Sequence, residues 1–101
     1  MFTLQILDRG QTFLHSLDAT PVLLGSGPSA QVVLSEEGIA AEHVRIEPVT
    51  GGARAIALAP MRVNGAPAEV VNLTLGDRIE IGRSVIVVGR AVTRRALADD
   101  V

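Results

Sequence analysis

The residues of this chain that could do chemistry are a glycine-rich segment, two histidines and several serines. The segment Gly25-Ser26-Gly27-Pro28-Ser29-Ala30 satisfies the G-x-G-x-x-G/A pattern of dinucleotide-binding loops. Such a loop must open a helix whose N-terminus holds the pyrophosphate, whereas here the β-branched pair Val32-Val33 follows within a few residues. The segment therefore predicts a loop between strands and no nucleotide cofactor.

The sequence offers no arrangement typical of catalysis. No serine lies in a G-x-S-x-G elbow, and no two carboxylates have a spacing that favours acid and base roles. His43 lies between a turn and an apolar run, where a histidine commonly hydrogen-bonds the backbone of the turn. We predict that the chain is not an enzyme; a His43 exposed in a cleft beside Glu42 or Asp77 would favour the opposite.

The composition of the chain excludes further classes of partner and cofactor. The 101 residues suffice for one domain with one core, 48% of them are hydrophobic, and the net charge is −2. That charge and the 2% of aromatic residues argue against a nucleic-acid partner. The chain contains no cysteine and two histidines, so we expect no disulfide, no metal site and no cofactor.

Membrane insertion is not expected of this segment by itself. Its longest apolar run, Val85 to Val88, is far shorter than the roughly 18–20 residues that cross a bilayer, and its first residues do not form a signal peptide. We therefore expect the chain as given to be soluble and not secreted.

The elements that must position these residues are short β-strands. Apolar residues alternate along the chain and turn residues recur every 8–12 positions, a pattern typical of a β-sandwich. Asn64-Gly65 is the strongest hairpin signal, and Asp8 to Gln11 suggests another. We predict an all-β domain over residues 1–92 and a tail or linker over 93–101. The predicted strands are Met1–Leu7, Phe13–Leu17, Pro21–Leu24, Val32–Leu34, His43–Pro48, Arg54–Leu58, Arg62–Val63, Ala66–Val71, Arg78–Ile81 and Ser84–Val88.

The order of several short motifs resembles that of a forkhead-associated domain. The motifs are Gly25-Ser26, Val32-Val33-Leu34, Ile39-Ala40-Ala41-Glu42-His43, Val63-Asn64-Gly65 and Leu75-Gly76-Asp77-Arg78-Ile79-Glu80-Ile81-Gly82. Each motif is weak alone, but their order and spacing together are fairly specific. The resemblance implies a β-sandwich of about eleven short strands with loops gathered at one end. It also implies a protein-interaction function and a structural role for Gly25, His43, Asn64, Gly65, Gly76 and Asp77.

The side chains with which that family holds a phosphothreonine are absent. The family's loop arginine is Ser26 here, its Ser-Arg pair is Ala40-Ala41, and the segment with its second serine and asparagine is shortened to Ala59-Pro60-Met61. Charge-assisted hydrogen bonds contribute roughly 1.5–3 kcal/mol each, so losing two weakens binding on the order of 10²- to 10⁴-fold. Four glutamates against one arginine between Gly25 and Pro48 would repel a phosphate further.

A narrower resemblance is to the cytoplasmic N-terminal domain of the larger inner-membrane ring protein of bacterial type III secretion systems. Gly-Ser in place of Gly-Arg and Ile-Ala-x-x-His in place of Val-Ser-Arg-x-His are similar to that family. The resemblance implies a scaffold without phosphothreonine recognition that docks cytoplasmic sorting-platform proteins. It further implies a membrane span outside this chain, a ring in the full-length protein and a domain that can be monomeric in isolation. Arg90, Arg94 and Arg95 fit positive charge beside such a span.

Two binding hypotheses follow for the loops. The first is a non-catalytic scaffold whose partner contacts Ser26, Ser29, Glu36, Glu37, Glu42 and Arg62. The second is a signalling adaptor that still recognises phosphothreonine through backbone donors and Arg62.

Overall fold

Nine β-strands make up the part of the chain that the computed structural model describes, residues 2–17, 20–50 and 52–90, and no helix occurs there. The strands are β1 Phe2–Asp8, β2 Gln11–Leu17, β3 Val22–Gly25, β4 Val32–Val33, β5 Val44–Val49, β6 Gly52–Val63, β7 Ala66–Leu73, β8 Arg78–Ile81 and β9 Ser84–Arg90. The predicted all-β class is confirmed.

The strands form one sheet that folds over into two layers. Its order is β2-β1-β9-β8-β6-β5-β3-β4, and β7 pairs with β6. The 12-residue β6 joins the layers, because residues 52–57 pair with β5 whereas Arg62 and Val63 pair with β8. A bulge between Ile56 and Met61 separates the two halves of β6. Strands predicted separately at 54–58 and 62–63 are therefore one element, and the nine strands of the described residues are close to the expected number of about eleven.

Alternation along the strands builds the core between the layers. Leu4 and Ile6 of β1 and Ile86 and Val88 of β9 are fully or almost fully buried, and the residues between them in each strand face outward. The second layer repeats this pattern in β3 and β5. Burial of these aliphatic side chains, at roughly 25 cal/mol per Å² of apolar surface, is what holds the sandwich closed.

Both predicted hairpins are present as two-residue turns. Arg9 and Gly10 have φ angles of 51° and 77°, and Asn64 and Gly65 have φ angles of 53° and 86°. Positive φ at both positions is the type I′ geometry that suits the twist of antiparallel strands. The first turn is tight enough that β2 begins at Gln11, two residues before the predicted start at Phe13.

Two expectations fall partly or wholly outside the described residues. The tail or linker over 93–101 lies outside them, as does Met1, the predicted first residue of the first strand. Among the described residues, no helical segment has the length and hydropathy needed to traverse a bilayer.

Candidate binding loops

Two loops of the second layer lie against each other at one end of the sandwich. The first loop, residues 26–31, connects β3 to β4, and the second, residues 34–43, connects β4 to β5. The Ser26 N–H donates to the Ala40 carbonyl at 2.9 Å, and the Gly27 N–H donates to the Ala41 carbonyl at 3.1 Å. The backbone of the first loop is therefore held by the backbone of the second.

Gly25 is needed at the root of these loops because no side chain fits there. A Cβ on Gly25 would lie 2.1 Å from the Ala41 carbonyl oxygen and 2.9 Å from that of Ala40. Both obstacles are backbone atoms that already accept hydrogen bonds from the first loop. The glycine thus allows the close approach of the two loops.

We predict that Gly25→Ala separates the two loops and destabilises the domain by about 3 kcal/mol, the upper end of what overpacking usually costs. Thermal unfolding followed by circular dichroism measures this loss. Gly89→Ala is the matched control, since its Cβ would meet the Thr3 carbonyl at an ordinary 3.5 Å. Equal melting temperatures for the two variants would contradict the prediction.

His43 braces the second loop from inside. It is 3% exposed, its Nδ1 accepts the Ala40 N–H at 2.9 Å, and its Nε2 lies 2.6 Å from the Pro60 carbonyl oxygen. Because Nδ1 faces a donor, the ring proton is on Nε2 and is donated to Pro60. Neither nitrogen faces solvent, so the exposed His43 that would favour an enzyme is not found.

The hydroxyl groups of the first loop bond within the domain. The Ser26 hydroxyl donates to the Ile39 carbonyl at 2.8 Å, and the Ser29 hydroxyl donates to a Glu42 carboxylate oxygen at 3.1 Å. The second contact places a carboxylate beside the loop that, in the resembling family, carries an arginine. The charge at this position is therefore unfavourable for an anion.

Arg62 lies elsewhere than the first loop. It is exposed, its Nη1 donates weakly to the Gly65 carbonyl at 3.5 Å, and its strand neighbour in β8 is Glu80. Arg62, Glu80, His43 and Gly38 line a shallow groove of about 590 Å³ that does not include Ser26 or Ser29. Of the predicted contact residues, Ser26, Ser29 and Glu42 therefore lie around the first loop, whereas Arg62 lies at this groove.

Glu36 and Glu37 lie near the start of the second loop, which Asp8 anchors. The sequence predicts Asp8 only as part of the hairpin turn after β1. The buried Asp8 carboxylate accepts the Ser35 N–H at 3.0 Å, the Ser35 hydroxyl at 2.7 Å and the Glu36 N–H at 3.3 Å. It also accepts the hydroxyl of the fully buried Ser84 at 2.8 Å. No local signal could have shown this, because its partners lie 27 to 76 residues away.

The ionised form of Asp8 is the stable one. Burial opposes ionisation, but the hydrogen bonds from Ser35, Ser84 and Glu36 outweigh it, so the pKa of Asp8 lies below its ordinary value of 3.8. The carboxylate is therefore charged at neutral pH and fixes the turn after β1 to the second loop.

Asn64, Gly65, Gly76 and Asp77 form a second linked pair of turns. The Asn64 amide donates to Asp77 Oδ1 at 3.0 Å, and Asn64 Oδ1 accepts the Arg78 N–H at 3.0 Å. Hydrogen bonds from the Thr74 N–H and from Asn64 lower the pKa of Asp77 below 3.8. Gly76, with φ 91°, turns the chain just before Asp77. These hydrogen bonds join the hairpin turn at Asn64-Gly65 to the turn at Gly76-Asp77.

The described residues contain no group of three or more histidine, aspartate or glutamate side chains placed to hold a metal ion. No family model matches the chain, and no curated protein does. Solved structures do match.

One of them is the FHA domain of FhaA, solved in complex with the intracellular domain of Rv3910. It is 31% identical to this chain, with a TM-score of 0.79, and the match covers 87% of this chain and 99% of the other. The chain belongs to the forkhead-associated domain family. A structure from a study of phosphothreonine-dependent FHA domain interactions is 30% identical over 91% of this chain and 98% of the other, with a TM-score of 0.78.

The third neighbour is the cytoplasmic domain of PscD, a type III secretion sorting platform protein from P. aeruginosa. It is 26% identical over 91% of this chain and 82% of the other, with a TM-score of 0.78. This FHA domain therefore has a protein-interaction fold, and its neighbours include both phosphothreonine-dependent domains and a secretion component.

Proposed function

We propose that this FHA domain is a non-catalytic scaffold that docks a protein without recognising phosphothreonine. The observation that carries the proposal is the state of the first loop. Its Ser26 and Gly27 amides and its Ser26 hydroxyl are all hydrogen-bonded to the second loop. A phosphate arriving there would meet few free donors and the Glu42 carboxylate.

The surface around the loops suits a protein partner. Ser26, Ser29, Glu37, Glu42 and Arg62 are exposed and Glu36 is half-buried. Next to the groove of Arg62, the bulge of β6 opens a second groove of about 1000 Å³ in which Leu58 and Val70 are 50% and 59% exposed. Exposed apolar side chains beside charged ones are typical of a surface that binds another protein.

We further propose that the chain is the cytoplasmic domain of a type III secretion inner-membrane ring component. In this role it would dock cytoplasmic subunits of the secretion apparatus, reach the membrane through a span outside this chain and form a ring in the full-length protein. Support comes from the PscD likeness, together with the replacement of the family's arginines and serine by Ser26 and Ala40-Ala41. An apolar segment of about 20 residues encoded shortly after Val101 is the expected finding in the gene, and a kinase encoded there would oppose it.

A peptide titration decides between the scaffold and the phosphothreonine-dependent adaptor. We predict that micromolar phosphothreonine peptides leave the amide NMR signals of residues 25–29 and 40–43 unshifted. The matched control is the unphosphorylated form of each peptide. Phosphate-dependent shifts in these two stretches would support the adaptor and contradict the scaffold.

The docking surface is tested separately by site-specific photocrosslinking in the bacterium that encodes the protein. A photoreactive residue at Glu37, on the second loop, is expected to crosslink a cytoplasmic secretion subunit. The control position is Thr50, which is exposed and lies just beyond the end of β5 that is remote from the second loop. Crosslinking to the same protein from Thr50 alone would contradict the loop surface.

A further inference from the structure

The strand β2 leaves one side of the sheet open. It is the outermost strand in the sheet order, and all seven of its residues pair with β1 on its other side. Within residues 2–17, 20–50 and 52–90, no strand pairs with its free edge. Unpaired N–H and C=O groups along such an edge can pair with another chain.

This edge has none of the features that usually prevent pairing. The sequence QTFLHSL contains no lysine, arginine, acidic residue or proline. Its register with β1 runs from Leu17 to Gln11 without a bulge. Leu14 is 64% exposed and Phe13 is 38% exposed. A long and regular edge with exposed apolar side chains is predicted to pair with another strand.

The turn before β2 determines which backbone groups point outward. In a two-residue hairpin the flanking residues, here Asp8 and Gln11, form a hydrogen-bonded pair, and such pairs alternate along the strands. Phe13 and His15 therefore exchange hydrogen bonds with β1. The N–H and C=O groups of Thr12, Leu14 and Ser16 point to the free edge.

We propose that a second copy of this chain pairs antiparallel along β2, about a twofold axis through Leu14. In this register Leu14 lies opposite Leu14, and Thr12 of each copy lies opposite Ser16 of the other. All three of these pairs are of the hydrogen-bonded kind, so about six backbone hydrogen bonds form and no outward group of the strand is left over. A register shifted by one residue would not match the outward groups.

The side chains favour a second copy over an unrelated peptide because β2 is complementary to itself. The twofold axis pairs hydroxyl with hydroxyl at Thr12 and Ser16, apolar with apolar at Leu14, and the Phe13 ring with His15. No like charges meet along the paired strands, because β2 contains no lysine, arginine, aspartate or glutamate.

The apolar surface is also continuous with this edge. Leu14 pairs with Gln5, which pairs with Val87, and Leu7 pairs with Val85, so these apolar side chains share the outer face of β2, β1 and β9. Leu7 is 42% exposed. When two copies pair, the apolar outer faces of both sheets become continuous across the twofold axis, and each Leu14 is covered by the other copy's β2. This inference does not depend on the function proposed for the loops.

The register is tested with single-cysteine variants, since the chain has no cysteine of its own. Hydrogen-bonded antiparallel partners have Cα atoms about 5.5 Å apart, within the range that a disulfide spans. We expect a mixture of Thr12→Cys and Ser16→Cys chains to crosslink on oxidation or with a short thiol crosslinker. Each variant alone places its two thiols about 13 Å apart, four residues along the strand, and is expected to crosslink little. Equal yields from all three samples, or none from the mixture, would overturn the proposal.

Sedimentation equilibrium of the 101-residue chain tests the affinity. We expect a monomer–dimer equilibrium with a Kd below about 1 mM. In Leu14→Lys the affinity should fall at least tenfold, because the substitution brings two ammonium groups together at the twofold axis. Leu14→Pro is expected to weaken it similarly while the monomer stays folded, because the lost N–H points outward. Leu75→Lys, a similar change at an exposed site away from β2, should leave the dimer unchanged. A wild type that stays monomeric at all concentrations, or equal weakening by Leu75→Lys, would overturn the proposal.

Discussion

The triple substitution Ser26→Arg, Ala40→Ser and Ala41→Arg is expected to give this FHA domain phosphate-dependent binding of a phosphothreonine peptide. These are the positions at which the family pattern has arginine, serine and arginine. Two restored charge-assisted contacts at roughly 1.5–3 kcal/mol each correspond to a gain in phosphopeptide affinity on the order of 10²- to 10⁴-fold. We expect the lower end of this range, because the Glu42 carboxylate beside the first loop repels a phosphate.

The scaffold is ready to accept these side chains. Ala41 is exposed and Ala40 is half-exposed, and both take part in the loop contacts through their backbone, which the substitutions leave in place. Only the Ser26 hydroxyl loses a bond, the one to the Ile39 carbonyl. The restored arginines therefore project from loops that are already held by His43 and Gly25.

Isothermal titration with phosphorylated and unphosphorylated forms of one peptide measures the gain. The matched control carries Thr50→Arg and Asn72→Arg, two exposed positions outside the loops, and so has the same net charge as the triple variant. Equal phosphopeptide affinity in the two variants would show that added positive charge alone is responsible. That result would contradict the view that the loops keep the geometry of a phosphothreonine site and lack only its side chains.

The fold followed from sequence where the determining interactions are local. Strand alternation fixes which face is buried, and Asn64-Gly65 fixes a hairpin through its own backbone preferences. The bend of β6 could not be predicted in this way, since residues 57–60 have no signal that distinguishes a bulge from a loop between two strands. Whether a strand is one element or two is decided by its neighbours in both layers.

The candidate site likewise has features that local sequence predicts and features that depend on distant residues. Gly25 and His43 could be assigned to the loops by motif, but the contacts that make them necessary, with the Ala41 and Pro60 carbonyl groups, appear only in three dimensions. The sequence predicts that Arg62 contacts the same partner as the first loop, whereas in the structure Arg62 lies on a separate groove with Glu80. Asp8 was missed as an anchor because its role depends on serines that are distant in sequence.

The substitution Asp8→Asn is expected to be among the most destabilising polar changes in the domain. The amide cannot replace a carboxylate that accepts from Ser35, Glu36 and Ser84, because its NH₂ group would face a donor. Hydrogen bonds to a charged group contribute roughly 1.5–3 kcal/mol, and these bonds are not additive, so we expect a loss of about 3 kcal/mol in the free energy of unfolding at pH 7. Asp77→Asn is the matched control and should lose less, since Asp77 is only half-buried.

The pH dependence of this loss identifies its cause. The pKa of Asp8 is lowered in the folded state from an ordinary value of 3.8, so its stabilisation is fully present above pH 3.8 and disappears as the pH falls through the lower folded value. The gap in unfolding free energy between the wild type and Asp8→Asn, measured by urea denaturation, should therefore be constant between pH 5 and 7 and narrow in more acidic solution. A gap that keeps its full size down to pH 2 would mean that the variant disturbs packing and that the charge of Asp8 does not hold the second loop to the turn after β1.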